Sequence, residues 1–174
     1  MARAFAEITF TPAVKSAQQR YGSREANQGF ERTQDRRDQL GRHEAEFVSS
    51  LNGFYQATVG ENGWPYVQFR GGPPGFLKVL DEKTIGYADF RGNRQYLSVG
   101  NLGANPRVAL IFMDYQNRRR IKIWGTARIV ELGDDPALIA SLTVADYKAT
   151  VERGVIITVE AYEWNCPQHI GVQA

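Results

Sequence analysis

Two runs rich in β-branched and aromatic residues, "FYQATVG" (54–60) and "WPYVQFR" (64–70), are separated only by Glu61-Asn62-Gly63. An Asn-Gly pair at such a junction accepts the positive φ angles of a tight hairpin turn, so the two runs are predicted to pair antiparallel. That hairpin commits the chain to an antiparallel sheet, and the segments after it continue the pattern. "GGPPG" (71–75) breaks the sheet, after which "FLKVL" and "TIGYADF" form a second pair across the Asp81-Glu82-Lys83 turn. "RVALIFMDY" (107–115) is apolar on both faces, as a central strand is. "RIKIWGTARIVEL" (120–132) alternates, with Arg120, Lys122, Trp124 and Thr126 on one face and Ile121, Ile123, Ala127 and Ile129 on the other. "GVIITVEAYEWN" (154–165) closes the set. Six or so antiparallel strands with few helices point to a mainly β fold, a small barrel.

Helices are expected at the margins. Residues 11–21 read as a short helix with Thr11 as cap and Pro12 at its first position. Residues 22–41 are polar and mixed in charge, and read as loop or as a loosely docked arm that orders on a partner subunit. A second helix is expected at about 42–51. A helical insertion is expected over 134–151, with Asp134 or Asp135 as cap and Pro136 at N1. No repeat or linker divides the chain, so residues 1–174 are read as one domain with an N-terminal helical and loop arm over about 1–52.

Composition excludes several classes. A single cysteine, Cys166, precludes an internal disulfide, and His43 and His169 offer no metal-ligand spacing. The first residues lack the apolar core of a signal peptide, and no apolar run approaches the roughly 18 residues of a bilayer span. A cytoplasmic protein without membrane contact is expected. The net charge of +2 hides an asymmetry: residues 85–128 carry eight basic side chains against two acidic ones, and the remainder is acidic. Such a middle suits a small anionic ligand. "NRRRIK" (117–122) is not read as a nucleic-acid patch, because it alternates along a strand and its basic residues do not share a face.

The stretch "YADFRGNRQYLSVGN" (87–101) locates the anion site. Gly92-Asn93 lets the chain leave a strand and begin a helix near residue 93, whose unpaired N–H groups attract a phosphate. Arg94 and Gln95 in the first turn add donors. Arg120 and Lys122 close the other side if strand 120–132 neighbours strand 84–89. The competing reading has Arg94 pair with Asp89 and cap its own loop.

These motifs carry a resemblance. "GWPYVQFRGGPPGFLKVLDEKTIGYADFRGNRQY", "NPRVALIF" and "RRRIKIWGTARIVE", spanning about residues 45–132, resemble the pyridoxamine 5'-phosphate oxidase-like family of FMN-binding split-barrel flavoproteins. "WNCPQHI" resembles a terminal segment of one subgroup. The resemblance implies a split β-barrel homodimer holding two FMN molecules at the subunit interface. It also implies an oxidoreductase acting on a small organic substrate with NADH, NADPH or oxygen as redox partner. The family's "Y-T-N" falls on Tyr87, Ala88 and Asp89, and its "S-R-K" on Asn93, Arg94 and Gln95. The arginine of its basic strand falls on Arg70 or Gln68, its lysine on Lys78, and a glutamine opening the following long strand on Arg120. A cation at the flavin's N1 and O2 edge is expected from Lys122, Arg120 or Lys78. The family's carboxy-terminal Arg-x-His is absent, which argues against pyridoxamine phosphate oxidation itself. A non-catalytic flavin-binding protein and a deazaflavin-dependent reductase are the alternatives. Trp124 is read as core rather than as a ring stacked on flavin. Cys166 is read as a small hydrophobe, and His169 as an interface contact near the cofactor.

Overall fold

The computed structural model describes residues 2–171. Seven strands form one antiparallel sheet: β1 (Gly53–Val59), β2 (Pro65–Gly71), β3 (Leu77–Asp81), β4 (Thr84–Phe90), β5 (Arg107–Asp114), β6 (Arg119–Glu131) and β7 (Val151–Trp164). Their order is β2-β1-β5-β6-β7-β4-β3, and the two end strands do not pair, so the expected barrel is split rather than closed. The β1–β2 hairpin pairs Val59 with Pro65 and Gly53 with Gly71, turning at Gly63, whose φ is +82°. Its neighbours on the sheet follow from alternation, with most inward residues apolar and buried.

The inner face is the core. Phe54 lies against Phe76 (ring centroids 5.8 Å apart), Phe112 (5.0 Å) and the edge of Tyr87 (5.5 Å). Leu110, Ile121, Ile123, Ile85 and Ile157 complete a core in which each of these side chains is at most 2% exposed. Each such burial stabilises the fold by about 1.5–3 kcal/mol. The predicted faces of β6 hold, with Ile121, Ile123 and Ala127 buried and Arg120, Lys122 and Trp124 outward. Opposite Gly125 the β7 register slips, pairing Trp124 with Ala161 but Gly125 with Val159. This bulge leaves Glu160 unpaired and increases the local twist.

Helices cover parts of the outer face. α1 (Ala4–Thr9), α2 (Pro12–Arg20) and α3 (Arg24–Glu31) precede the sheet, followed by α4 (Arg42–Ser50). α2 starts as the sequence predicts, with Thr11 Oγ1 accepting from Val14 N at 3.3 Å. The segment expected to be loop contains α3, because Phe30 gives an otherwise polar helix one anchor, in an edge contact with Phe5 at 5.3 Å. Phe5 in turn stacks on Trp124 at 6.0 Å, which makes Trp124 a packing residue. Arg3 and Arg37 fasten the same arm to Glu163, each at 2.9 Å.

α5 (Leu97–Ala104) follows β4, and α6 (Pro136–Leu142) precedes β7. Asp135 caps α6 by accepting from Leu138 N at 2.9 Å. The helix ends at Leu142, half the predicted length, and Asp146 beyond it takes a left-handed φ of 61°. Ile139 and Leu142 bury its apolar side against Ala88, Val130 and Ile156. No helix among the described residues is long and apolar enough to cross a membrane.

Candidate functional site

The open seam of the sheet is where the chemistry gathers. β2 at one end brings Gln68 and Arg70 on its inner face, in line with buried Gln56 and Phe54 of β1. β4 brings Asp89 on the same face as Tyr87. No backbone ladder joins these strands; a side-chain ion pair does. Arg70 Nη1 lies 2.6 Å from Asp89 Oδ1, and Arg153 Nη1, from β7, lies 2.9 Å from Asp89 Oδ2. Asp89 is 5% exposed, so these charges are nearly dry and their pairing strong in geometry.

In front of the triad lies a shallow, open cleft lined by Gln68, Arg70, Asp89, Asn93, Arg94, Gln95, Tyr96, Glu152 and Arg153 among others. The loop of residues 92–96 forms its rim. Asn93 turns that loop by accepting from Gln95 N (3.2 Å) and donating to Gln95 Oε1 (3.1 Å). Arg94 and Tyr96 then take left-handed φ values of 62° and 55°, an unusual pair for residues with side chains. Arg94 Nε donates to the Tyr96 hydroxyl at 3.3 Å, and that hydroxyl donates to Glu152 at 3.4 Å. α5 begins only at Leu97, so Arg94 and Gln95 precede the helix instead of occupying its first turn. No side chain caps that helix. Ser98 Oγ donates to Gln68 at 3.0 Å and ties α5 to β2.

Several expected residues fall elsewhere. Arg94 does not pair with Asp89, which is held by two other arginines. Ala88 points to the opposite face of β4, into the apolar contact with α6. Lys78 pairs across from Gly86 and so shares that opposite face, away from Asp89. Arg120 and Lys122 stand across from Met113 and Ile111 on the outer face, and β7 separates β6 from β4. The expected adjacency of those two strands does not occur. Tyr87 is 1% exposed and donates its hydroxyl to Gln56 at 2.7 Å. Burial, the largest influence, pushes that hydroxyl's pKa up despite nearby Arg70, so it stays protonated. Cys166 is exposed rather than buried as a small hydrophobe, and neither it nor His169 lines the cleft. Arg153, Tyr96 and Glu152 were not singled out in the sequence. The pairing that places Arg153 directly opposite Asp89 was the signal, and it becomes visible only once β4 and β7 are known to be neighbours.

A second recess of about 150 Å³ adjoins the cleft through Gln68, Arg70 and Asp89 and is walled by Phe69, Gly71, Phe76 and Phe90. The Gly-Gly-Pro-Pro-Gly loop thus borders the site, as its position in the sequence suggests. Gly72 N donates to Asn52 O and Phe76 N to Pro73 O, both at 3.0 Å, which fixes the loop's shape.

The sequence profile of the pyridoxamine 5'-phosphate oxidase family matches residues 40–166. The chain belongs to this family. No functionally curated protein matches the sequence. Among solved structures, HupZ of Group A Streptococcus aligns with a TM-score of 0.57 at 20% identity, over 78% of this chain and 99% of HupZ. An FMN-binding protein from Syntrophomonas wolfei aligns at 0.52 and 12% identity, over 72% of this chain and 88% of that one. An F420 reductase aligns at 0.50 and 18% identity, over 71% and 98%. Likeness at these identities establishes the fold: a split barrel of the FMN-binding type with its sheet open.

The donor set fits the cofactor such a fold implies. Arg70 Nε and Arg153 Nε are buried without a hydrogen-bond partner among the described residues. Buried guanidinium donors of this kind match the oxygens of a phosphate.

Proposed function

We propose that the protein binds FMN in the cleft at the seam, as a homodimer, and acts as an oxidoreductase on a small organic substrate with a nicotinamide or oxygen as redox partner. The observation that carries this reading is the convergence of Arg70, Arg94 and Arg153 on one cleft with two unsatisfied buried donors, in a family fold of the FMN-binding type.

Bound FMN would supply the electron transfer; the chain supplies binding and orientation. Arg94 and the uncapped start of α5 would hold the phosphate. Gln68, kept in place by Ser98, offers its remaining amide donors to a polar ring edge. Phe69 and Phe76 wall the adjoining recess with aromatic surface. Arg120 and Lys122 have no route to the cleft of their own chain, and a flavin meets them only across a subunit contact.

An uncovered apolar surface supports that contact. Tyr55, Ala57, Val67, Ile111 and Trp124 share the outer face with Lys122, and Val67 and Phe69 are 60% and 55% exposed. An apolar patch of this kind is usual at subunit interfaces. The alternative of a deazaflavin cofactor is supported by the fold shared with the F420 reductase.

The visible spectrum of the purified protein, followed by the mass of the chromophore released by heat, tests the proposal. About one FMN per chain, added or copurified, is expected. A protein that stays colourless in excess FMN overturns the reading, and a released deazaflavin replaces it with the alternative. Reduction of the bound flavin by NADH or NADPH separates an enzyme from a flavin store.

A further inference from the structure

Of the three guanidiniums at the cleft, two lie on segments where the family's motifs fall. The third does not. Arg153 opens β7 directly opposite Asp89, its side chain 12% exposed and its guanidinium 5.1 Å from the centre of the Tyr96 ring. Arg70 reaches the same carboxylate from the far end of the sheet, its side chain 14% exposed and its guanidinium 5.8 Å from the Tyr87 ring. Each arginine is therefore held by one Asp89 oxygen and one aromatic ring, and each keeps a buried Nε without a partner. Among the described residues, the only other carboxylate within ion-pair distance of Arg153 is that of Glu152, at 3.4 Å. A guanidinium has five N–H donors, so this pair is under-filled.

One carboxylate oriented between two arginines can fix their rotamers without exhausting their donors. Ring stacking then restricts each guanidinium plane. An arrangement of this kind leaves donors fixed in place for an oxyanion.

We propose that Arg153 is a binding residue for the ligand's phosphate, and that Asp89 is the positioning residue that presents Arg70 and Arg153 to it together. The identity of the ligand rests on the FMN reading; the anion site rests on the geometry alone.

Affinities for FMN and for riboflavin, which lacks the phosphate, test this when measured by fluorescence on the full-length protein and its variants. Arg153→Gln is expected to weaken FMN binding by about 10- to 100-fold while leaving riboflavin binding unchanged. Arg153→Lys, which keeps the charge and guards against a misfolded Gln variant, is expected to restore part of the preference. Asp89→Asn is expected to reduce the preference as well, and Arg153→Gln to cost less in that background than alone. An undiminished preference for FMN in Arg153→Gln, or an equal loss for both flavins, overturns the inference. Inorganic phosphate separates the two proposals. If neither flavin binds but phosphate raises the melting temperature of the parent and not of Arg153→Gln, the FMN reading fails and the inference stands. If neither flavin binds and phosphate has no Arg153-dependent effect, both fail.

Discussion

At the residue scale, Arg94 and Gly125 show two ways in which single positions carry the structure. Arg94 is exposed and bonded only to the Tyr96 hydroxyl, on a loop whose left-handed backbone aims it over the cleft. Arg94→Ala therefore leaves the melting temperature close to that of the parent and is expected to lower the flavin content of the purified protein about tenfold or more. Unchanged occupancy removes Arg94 from the phosphate site. Gly125 is different in kind. A Cβ there would stand 2.4 Å from Thr158 O and 2.8 Å from the Ile157 side chain, and a backbone oxygen in a sheet cannot step aside. Gly125→Ala is expected to destabilise the protein by about 2–4 kcal/mol in urea unfolding, by forcing the bulge apart. Neither role is legible from the residue alone: "RGNRQY" does not announce two left-handed residues, and "WGTA" does not announce a bulge on the facing strand.

At the scale of elements, the strands were readable because a period of two is imposed by the pleat and survives in the sequence wherever one face is buried. The Asn-Gly turn and the Thr11 and Asp135 caps were readable for a similar reason, since each uses local chemistry. The helices that misled reading depend on distant contacts. α3 is polar on most sides and exists through Phe30 meeting Phe5, while α6 stops where its apolar contact with β4 and β7 stops. The late start of α5 is likewise set by the Asn93 turn, whose bonds to Gln95 use up the residues that looked like a first helical turn.

α4 joins the sheet through Glu44, which accepts from Gly41 N at 3.1 Å and from Trp164 Nε1 at 2.8 Å. Burial opposes ionisation of Glu44, but the bonds from Trp164 and His43 outweigh it and hold its pKa below the ordinary glutamate range. A carboxylate with a depressed folded pKa stabilises the fold above its unfolded pKa and loses that contribution as pH falls through the folded value. Acid unfolding of the parent is expected to steepen as pH falls below the ordinary glutamate range. Glu44→Gln is expected to be less stable at neutral pH by about 1 kcal/mol and to show a shallower acid limb in urea titrations at a series of pH values.

At the scale of the molecule, the two faces of the sheet divide the labour. The inner face makes a core and delivers Gln68, Arg70, Asp89 and Arg153 to the seam, while the outer face is covered by α6 and by the N-terminal arm except over β1, β2, β5 and part of β6. The arm, α1 to α3, lies before the residues matched to the family and packs on Trp124 and Ala161 at the border of the bare region. If that region is the subunit contact, a charge at its centre splits the dimer. Val67→Glu, at a residue 60% exposed within that patch, is expected to shift the mass seen by light scattering from two chains to one and to reduce flavin content in parallel. A variant that remains dimeric and yellow places the contact elsewhere. This surface is not legible in the sequence beyond the family resemblance, because an outward Val67 or Phe69 obeys the same alternation as an inward one. Which face is bare depends on where the helices settle.

The seam itself has one more implication. Everywhere else in the sheet, separating two strands means rupturing a ladder of amide-to-carbonyl bonds, but between β2 and β4 the join is made by side chains: the Arg70–Asp89 pair and, behind it, Tyr87 with Gln56 and Phe54. A ligand seated along this line therefore meets side chains that turn on their own bonds, and making room for it asks no strand to give up its ladder.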